Sequence, residues 1–164
     1  MLASPTNLTA TLISSGQVKL SWAASAHATG YNVKWSTANG GPYISVRNVS
    51  GSAYTNSGLA NGTLYYFVVS ATDAFGESAN SAQVSARPVS LASPQLNFGI
   101  NGSQLQISWP QDHTGWSLQV QTNAPGAGLG KAWVTLPTSV STNQTSVSVE
   151  TANGSVFFRL IYQP

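Results

Sequence analysis

Apolar and polar residues alternate along much of this chain, and the alternation predicts its secondary structure. In the runs 18–22, 31–35 and 65–71, apolar side chains occupy every second position. A period of two is typical of strands that bury one face, and no stretch keeps a helical period. Clusters of Gly, Asn, Pro and Ser separate these short runs. The pattern therefore predicts an all-β, antiparallel fold.

The alternation pauses once and then resumes. Pro88 and Pro94 enclose a run of mostly small residues. Such a segment is short and semi-rigid, which predicts a linker over residues 89–94. The chain is thereby divided into a first domain, residues 1–88, and a second domain, residues 95–164.

The second domain repeats the first. Four motifs recur in the same order, and they pair residues 20–22 with 107–109, 27–33 with 113–118, 43–46 with 133–136, and 61–66 with 153–158. Composition alone does not readily produce four matches in one order. We therefore predict two tandem antiparallel β-sandwiches with immunoglobulin-like architecture.

Residues 4–88 resemble a fibronectin type III module over the whole segment. The resemblance rests on Trp22 in the second strand, on Gly30-Tyr31 in the third, and on Leu59 followed six residues later by Tyr65. The last pair resembles the tyrosine corner of that family. The resemblance implies that Trp22 fills the space between the sheets and that the Tyr65 hydroxyl caps backbone. Residues 95–164 are similar to a divergent copy of the same module.

The end of the second domain departs from the family pattern. Phe157 stands at the tyrosine-corner position, so no hydroxyl is available there. The sequence stops soon after the strand expected over residues 156–162. We therefore expect the second sandwich to lack its last strand, which would leave an open edge.

At this strand, the motif that aligns Phe157 with Tyr65 conflicts with the expected burial of the side chains. If Phe157 pointed inward, Arg159 would too, and burying an unpaired Arg costs on the order of several kcal/mol. We therefore expect Arg159 to point outward. The buried face would then consist of Val156, Phe158, Leu160 and Tyr162.

Composition narrows the class of protein. Charged residues make up 6% of the 164 residues, and the net charge of +2 is too small for a nucleic-acid-binding surface. No apolar run approaches the length of a membrane span. Many Ser, Thr, Asn and Gln residues, with no Cys, favour a secreted bacterial protein without disulfides. Neither nucleic acid nor a membrane is an expected partner.

Ionisable side chains are too sparse to predict a catalytic site. Asp73 and Glu77 share one hairpin loop, which has no cleft for a glycosidase pair. Nothing near Asp112 and His113 completes a set of three or four metal ligands. The remaining groups, Glu150 and His27, add no cluster. We expect no enzymatic activity, no metal and no cofactor.

Aromatic and amide side chains of the second domain supply a candidate binding site. A sugar ring can stack on a flat aromatic ring, and amides can bind its hydroxyls. Trp133 follows a Gly-rich loop, and Tyr162 is a further aromatic residue near the sheet. Four glutamines at outward positions of strands expected to be neighbours would form an uncharged face: Gln104, Gln106, Gln119 and Gln121. In the alternative interpretation, Trp133 covers the core and the glutamines only keep the surface polar.

Bacterial modules that look like this are commonly appended to secreted enzymes that degrade polysaccharides. The resemblance thus implies a non-catalytic accessory region that binds carbohydrate for a catalytic domain in the same parent chain. Two alternatives remain. One is a structural spacer with no ligand of its own. The other is a module that exchanges a strand with a partner at its open edge.

Overall fold

The computed structural model describes residues 2–124, 126–148 and 154–163, and its regular elements are mostly β-strands. Two compact units, residues 1–88 and 89–164, divide the chain. The helical elements of the described part are two short 3₁₀ helices, Gln111–His113 and Pro137–Ser141. Helices of this length leave no periodic pattern in a sequence. Neither is long or apolar enough to cross a membrane.

The first unit is a two-layer antiparallel sandwich. One sheet has the order β1-β2-β5, and the other has the order β4-β3-β6, with β7 and β8 both paired to β6. The strands are β1 (Thr6–Ser14), β2 (Gln17–Ala23), β3 (Gly30–Ser36), β4 (Ser45–Val49), β5 (Ala53–Asn56), β6 (Tyr65–Asp73), β7 (Gly76–Glu77) and β8 (Val84–Ala86). The prediction of an all-β antiparallel fold is confirmed.

The core of the first unit follows from the predicted alternation. Every second residue of β2 and β3 points between the sheets, and burying each large apolar side chain contributes about 1.5–3 kcal/mol. Trp22 packs edge-on against Tyr31, with ring centroids 5.4 Å apart. The Tyr65 hydroxyl accepts a hydrogen bond from the Ala60 N–H at 3.1 Å. The expected tyrosine corner is therefore present.

The second unit repeats the order of the first. One sheet runs β13-β10-β9 and the other β12-β11-β14, which correspond to β5-β2-β1 and β4-β3-β6. The strands are β9 (Asn97–Asn101), β10 (Gln104–Ser108), β11 (Ser117–Asn123), β12 (Val134–Thr135), β13 (Gln144–Ser148) and β14 (Ser155–Ile161). Among the residues described, no strand of the second unit corresponds to β7 or β8.

The phase of β14 agrees with the apolar alternation at Phe158 and Leu160, whereas Val156, which was expected on the same buried face, is exposed. Phe158 and Leu160 pack against the core formed by Ile107, Trp109 and Leu118. Arg159 lies opposite Gln119 on the other face and is exposed. The prediction that Arg159 points outward is confirmed. The motif match that begins at Asn153 starts outside the described residues.

The segment 89–94 is hydrogen-bonded to residues of the second unit. The Ser90 N–H donates to the Asp112 carbonyl at 2.8 Å, and Trp116 Nε1 donates to the Ser90 carbonyl at 3.0 Å. His113 Nε2 lies 2.8 Å from the Ala92 carbonyl. These bonds attach the predicted linker to the second unit. Proline spacing indicates the stiffness of a segment but not which backbone groups it binds.

Candidate functional site

The predicted glutamines lie on two different sheets. Gln104 and Gln106 belong to β10, whereas Gln119 and Gln121 belong to β11. The chain crosses from one sheet to the other between these strands, through the 3₁₀ helix Gln111–His113. The expectation that the strands are neighbours is wrong, and the four side chains do not form one face. The same crossing separates β2 from β3 in the first unit.

The sheet of β9, β10 and β13 carries an uncharged depression of about 520 Å³. Cross-strand neighbours share a face, so Gln106 stands beside Ser146, and Ser108 stands beside Asn97 and Gln144. Gln106 is exposed. We call this surface the amide face, and its polar members are Asn97, Gln104, Gln106, Ser108, Gln144 and Ser146.

One member of the amide face is already engaged. Gln104 Nε2 donates a hydrogen bond to Ser148 Oγ at 2.9 Å. Among the residues that the structure describes, no hydrogen bond of the Gln106 or Gln144 side chain is recorded, and both residues are exposed.

Gln119 and Gln121 point away from the core but are almost completely buried, at 7% and 4% exposure. Gln121 Nε2 donates to the Ala132 carbonyl at 2.8 Å, and its Oε1 accepts from the Gly130 N–H at 2.9 Å. Gln119 Nε2 donates to Thr135 Oγ1 at 3.0 Å. The segment before β12 therefore folds over Gln121, and both amides hold the protein together rather than face solvent.

Trp133 is half-buried, and the Arg159 side chain lies over its ring. The guanidinium carbon is 4.2 Å from the ring centroid, which is a cation–π contact. Arg159 Nε also donates to Gln119 Oε1 at 2.8 Å. One face of the indole is thus covered by a neighbour, which leaves less of the ring for stacking on a sugar than the sequence suggests.

Tyr162 belongs to a different aromatic cluster. Its ring centroid lies 5.8 Å from that of Trp116, which in turn packs edge-on against His113 at 5.2 Å. Burial raises the pKa of the Tyr162 phenol. Since its aromatic neighbour is Trp116 and the neighbour of Trp133 is Arg159, the two predicted platform residues take part in separate contacts.

The acidic side chains of the described residues have structural partners. Asp73 Oδ1 accepts from the N–H groups of Phe75 and Gly76, which closes the hairpin loop. Glu77 forms an ion pair with Lys34 at 2.5 Å and accepts a hydrogen bond from Ser70. These two partners hold the pKa of Glu77 below its usual value.

Of the remaining ionisable groups, Asp112 and His113 contact each other. Asp112 Oδ1 lies 2.7 Å from His113 Nδ1. Glu150 lies outside the described residues. Where the chain is described, no three His, Asp or Glu side chains come together as metal ligands would.

A family model for the fibronectin type III domain matches residues 3–87. The chain belongs to the fibronectin type III family. The matched segment coincides with the first sandwich, so the resemblance of residues 4–88 is confirmed, and the fibronectin type III domain is a non-catalytic type of module.

Relatives of this fibronectin type III chain include parts of two large enzymes. Amylopullulanase of Thermoanaerobacterium saccharolyticum is 40% identical over 104 residues, which are 63% of this chain and 8% of the relative. Poly(3-hydroxybutyrate) depolymerase of Ralstonia pickettii is 37% identical over 114 residues, which are 69% of this chain and 22% of the relative. The chain thus spans less than a quarter of either relative.

A solved fibronectin type III structure shows the same fold. The solution structure of such a domain from a human protein superposes with a TM-score of 0.50 and 19% identity. The superposition covers 62% of this chain and 88% of that domain.

Sequence reasoning missed two features of the second unit. Gln144 and Ser146 join the amide face, and the sequence of β13, Gln-Thr-Ser-Val-Ser, has only one apolar residue and so too little alternation to reveal them. The contact between Arg159 and Trp133 joins residues 26 positions apart, and no local pattern predicts it.

Proposed function

We propose that this chain is a non-catalytic accessory region of a secreted bacterial enzyme that degrades a polymer, and that its amide face binds neutral polysaccharide. The uncharged depression on the amide face carries this proposal. A catalytic domain elsewhere in the parent chain would perform the reaction. The accessory region would hold that domain near its substrate and raise its effective concentration there.

The chemistry of the amide face suits hydroxyl groups. Each glutamine or asparagine amide offers two donors and an acceptor, and each serine hydroxyl offers both functions. A sugar hydroxyl also donates and accepts. Gln106, Gln144 and Asn97 therefore match a neutral polysaccharide better than they match an ion.

The relatives support the polymer class. One is named for starch-type polysaccharides and another for a polyester, so both names describe enzymes acting on polymers. The open depression also suits the side of a long chain more than an enclosed small molecule. Secretion is proposed on the same grounds, since enzymes that act on large polymers meet their substrates outside the cell.

Trp133 and Tyr162 have a smaller role in this proposal than the sequence suggested. Arg159 covers one face of Trp133, and Tyr162 packs on Trp116. In this account both aromatic residues mainly stabilise the second unit. Trp133 remains the place to test for sugar stacking, because its ring is only half-buried.

Affinity electrophoresis and pull-down on polymers test the proposal. The panel is starch, pullulan, cellulose, chitin and poly(3-hydroxybutyrate) granules. We expect retention on at least one polysaccharide, weakened about tenfold by Gln106→Ala combined with Gln144→Ala, which corresponds to about 1.4 kcal/mol. Gln111→Ala, an exposed glutamine away from the amide face, is the matched control. A wild-type chain that no polysaccharide retains would contradict carbohydrate binding.

The structural spacer is the second candidate. It is favoured by Gln119 and Gln121, whose amides are used up inside the unit. A spacer would bind nothing in the panel, and shortening it would lower the activity of the parent enzyme on insoluble polymer more than on soluble fragments.

A further inference from the structure

The amide face lies on a regular part of the second unit. All five residues of the central strand β10 pair with β13 on one side and with β9 on the other, without a register shift. In such a sheet the strands lie about 4.7–4.9 Å apart, and outward side chains repeat about every 6.8 Å along a strand. The members of the amide face, together with Gly99, Asn101 and Ser148, therefore form an evenly spaced array.

The array consists of amides and hydroxyls, with a glycine among them. At the described outward positions of β9, β10 and β13, no side chain is aromatic or charged. Phe98 lies opposite Ile107 and so belongs to the core-facing side of the sheet. Gly99 lies opposite Gln106, and a Cβ atom added to it would meet nothing within 4 Å. A ligand can therefore approach β9 closely beside the Gln106 amide.

The corresponding face of the first unit is different. Its central strand, β2, is the counterpart of β10, and the exposed Lys19 stands where β10 has Gln106. The pairing of β1 with β2 is interrupted by two register irregularities. Thr9 Oγ1 and Ser21 Oγ, which belong to that face, lie 2.9 Å apart and bind each other. An uncharged, evenly spaced array is thus a property of the second unit and not of both sandwiches.

A dissolved polysaccharide chain would gain little free energy on this surface. Each hydrogen bond between an amide and a sugar hydroxyl replaces bonds that both groups already make with water, so its net contribution is small. The described outward positions carry no aromatic ring on which a sugar could stack. A flexible chain also loses conformational freedom when it binds. The few bonds that Gln106 and Gln144 can make to one sugar chain do not offset that loss.

The surface of an insoluble polysaccharide avoids most of that loss. Its chains are packed and ordered before the protein arrives, so binding costs them little conformational freedom. Their hydroxyl groups also stand in fixed rows, so that several side chains of the array can bind at the same time. An uncharged array needs no counter-charge on the polymer. Regular spacing, neutrality and the lack of an aromatic ring at the described positions therefore all favour an ordered, neutral surface as the ligand.

We propose that the amide face binds the ordered surface of an insoluble polysaccharide in preference to a dissolved chain of the same sugar. This preference rests on the proposed function, because it concerns the physical form of the polymer that the same face binds. In the parent enzyme, the second unit would then direct the catalytic domain to solid substrate rather than to its soluble products.

Binding of the full 164-residue chain to solid and dissolved forms of one sugar tests the proposal. The pairs are microcrystalline cellulose with cellohexaose, crystalline chitin with chitohexaose, and granular starch with maltohexaose. Depletion isotherms give the affinity for each solid, and titration calorimetry gives the affinity for each oligosaccharide. We expect binding to at least one solid, and binding to the matching oligosaccharide that is weaker by about tenfold or more, which corresponds to about 1.4 kcal/mol.

Two charge variants show whether the amide face is the surface that binds. Gln106→Lys gives this face the charge that Lys19 gives its counterpart, and it should weaken binding to the solid about tenfold. Gln111→Lys adds the same charge at an exposed glutamine away from the face and should leave binding unchanged. Circular dichroism checks that both variants fold.

The outcomes separate this preference from the proposed function. Equal affinity for the solid and for its oligosaccharide would overturn the preference and leave carbohydrate binding intact. Equal binding of Gln106→Lys and the wild type to the solid would also overturn it, because another surface would then be responsible. Binding to neither form of any sugar would contradict the proposed function as well.

Discussion

The guanidinium of Arg159 lies 4.2 Å above the ring of Trp133 and ties β14 to the segment that precedes β12. Because Arg159 covers one face of the ring, Trp133 offers less surface for sugar stacking than its sequence position suggested. Its main role in this account is to stabilise the second unit. A contact of this kind contributes about 0.5–1 kcal/mol at a partly exposed site.

Removing the positive charge of Arg159 should therefore lower the free energy of unfolding of the second unit. Arg159→Met keeps an unbranched apolar stem but loses the charge and the hydrogen bond to Gln119. We expect the second unit to lose about 1–2 kcal/mol in urea unfolding, with a change in tryptophan fluorescence. A double-mutant cycle with Trp133→Leu isolates the contact, and a coupling energy of zero would contradict it.

Gln121 is expected to be the most sensitive of the four predicted glutamines. Gln121→Ala would leave the Gly130 N–H and the Ala132 carbonyl without their partner, at a cost of about 1–3 kcal/mol. Gln106→Ala removes only an exposed side chain and should change stability by less than about 0.5 kcal/mol. Equal effects of the two substitutions in urea unfolding would show that Gln121 is not structural.

Tyr65→Phe tests the tyrosine corner in the first unit. The substitution removes the bond from the Ala60 N–H and should cost about 0.5–1.5 kcal/mol. For a domain of this size, that lowers the melting temperature by several degrees, or about 4–8 °C per kcal/mol. The adjacent Tyr66→Phe is the control, since no hydrogen bond of its hydroxyl is recorded within the described part of the chain. If both variants have the same melting temperature, the hydrogen bond of the tyrosine corner does not contribute to stability.

The ion pair of Glu77 predicts a pH dependence of the first unit. Lys34 and Ser70 lower the pKa of Glu77 in the folded state below the ordinary value of 4.5. The stabilisation is therefore complete above that value and is lost as pH falls through the lower, folded-state pKa. We expect Glu77→Gln to destabilise the unit at neutral pH and to flatten this part of the acid-unfolding profile. An unchanged profile would contradict the pairing.

Much of the fold could be predicted because alternation records which side of a strand is buried. Phe158 and Leu160 were placed inward and Arg159 outward from the apolar period and the cost of burying an unpaired Arg, and the structure confirms these placements. Repeated motifs also gave the two-sandwich organisation, since each motif marks a turn or a core tryptophan at the same point of the same topology.

The candidate site was less predictable because it depends on long-range contacts. Alternation shows that Gln119 and Gln121 point away from the core but not that a loop covers them. Nor does it show which strands share a sheet, so β10 and β11 were expected to be neighbours. Strands β2 and β3 are the counterparts of β10 and β11 in the first sandwich, and they belong to different sheets. This correspondence would have placed β10 and β11 in different sheets.

Hydrogen–deuterium exchange of the amides in β14 tests most directly whether the second unit repeats the strand order of the first, with β14 paired to β11 on one side. In β6, which has partners on both sides, successive amides should be protected along the strand. In β14, every second amide should exchange rapidly because it points to the open edge, while those bonded to β11 stay protected. Uniform protection along β14 in the isolated chain would contradict the account.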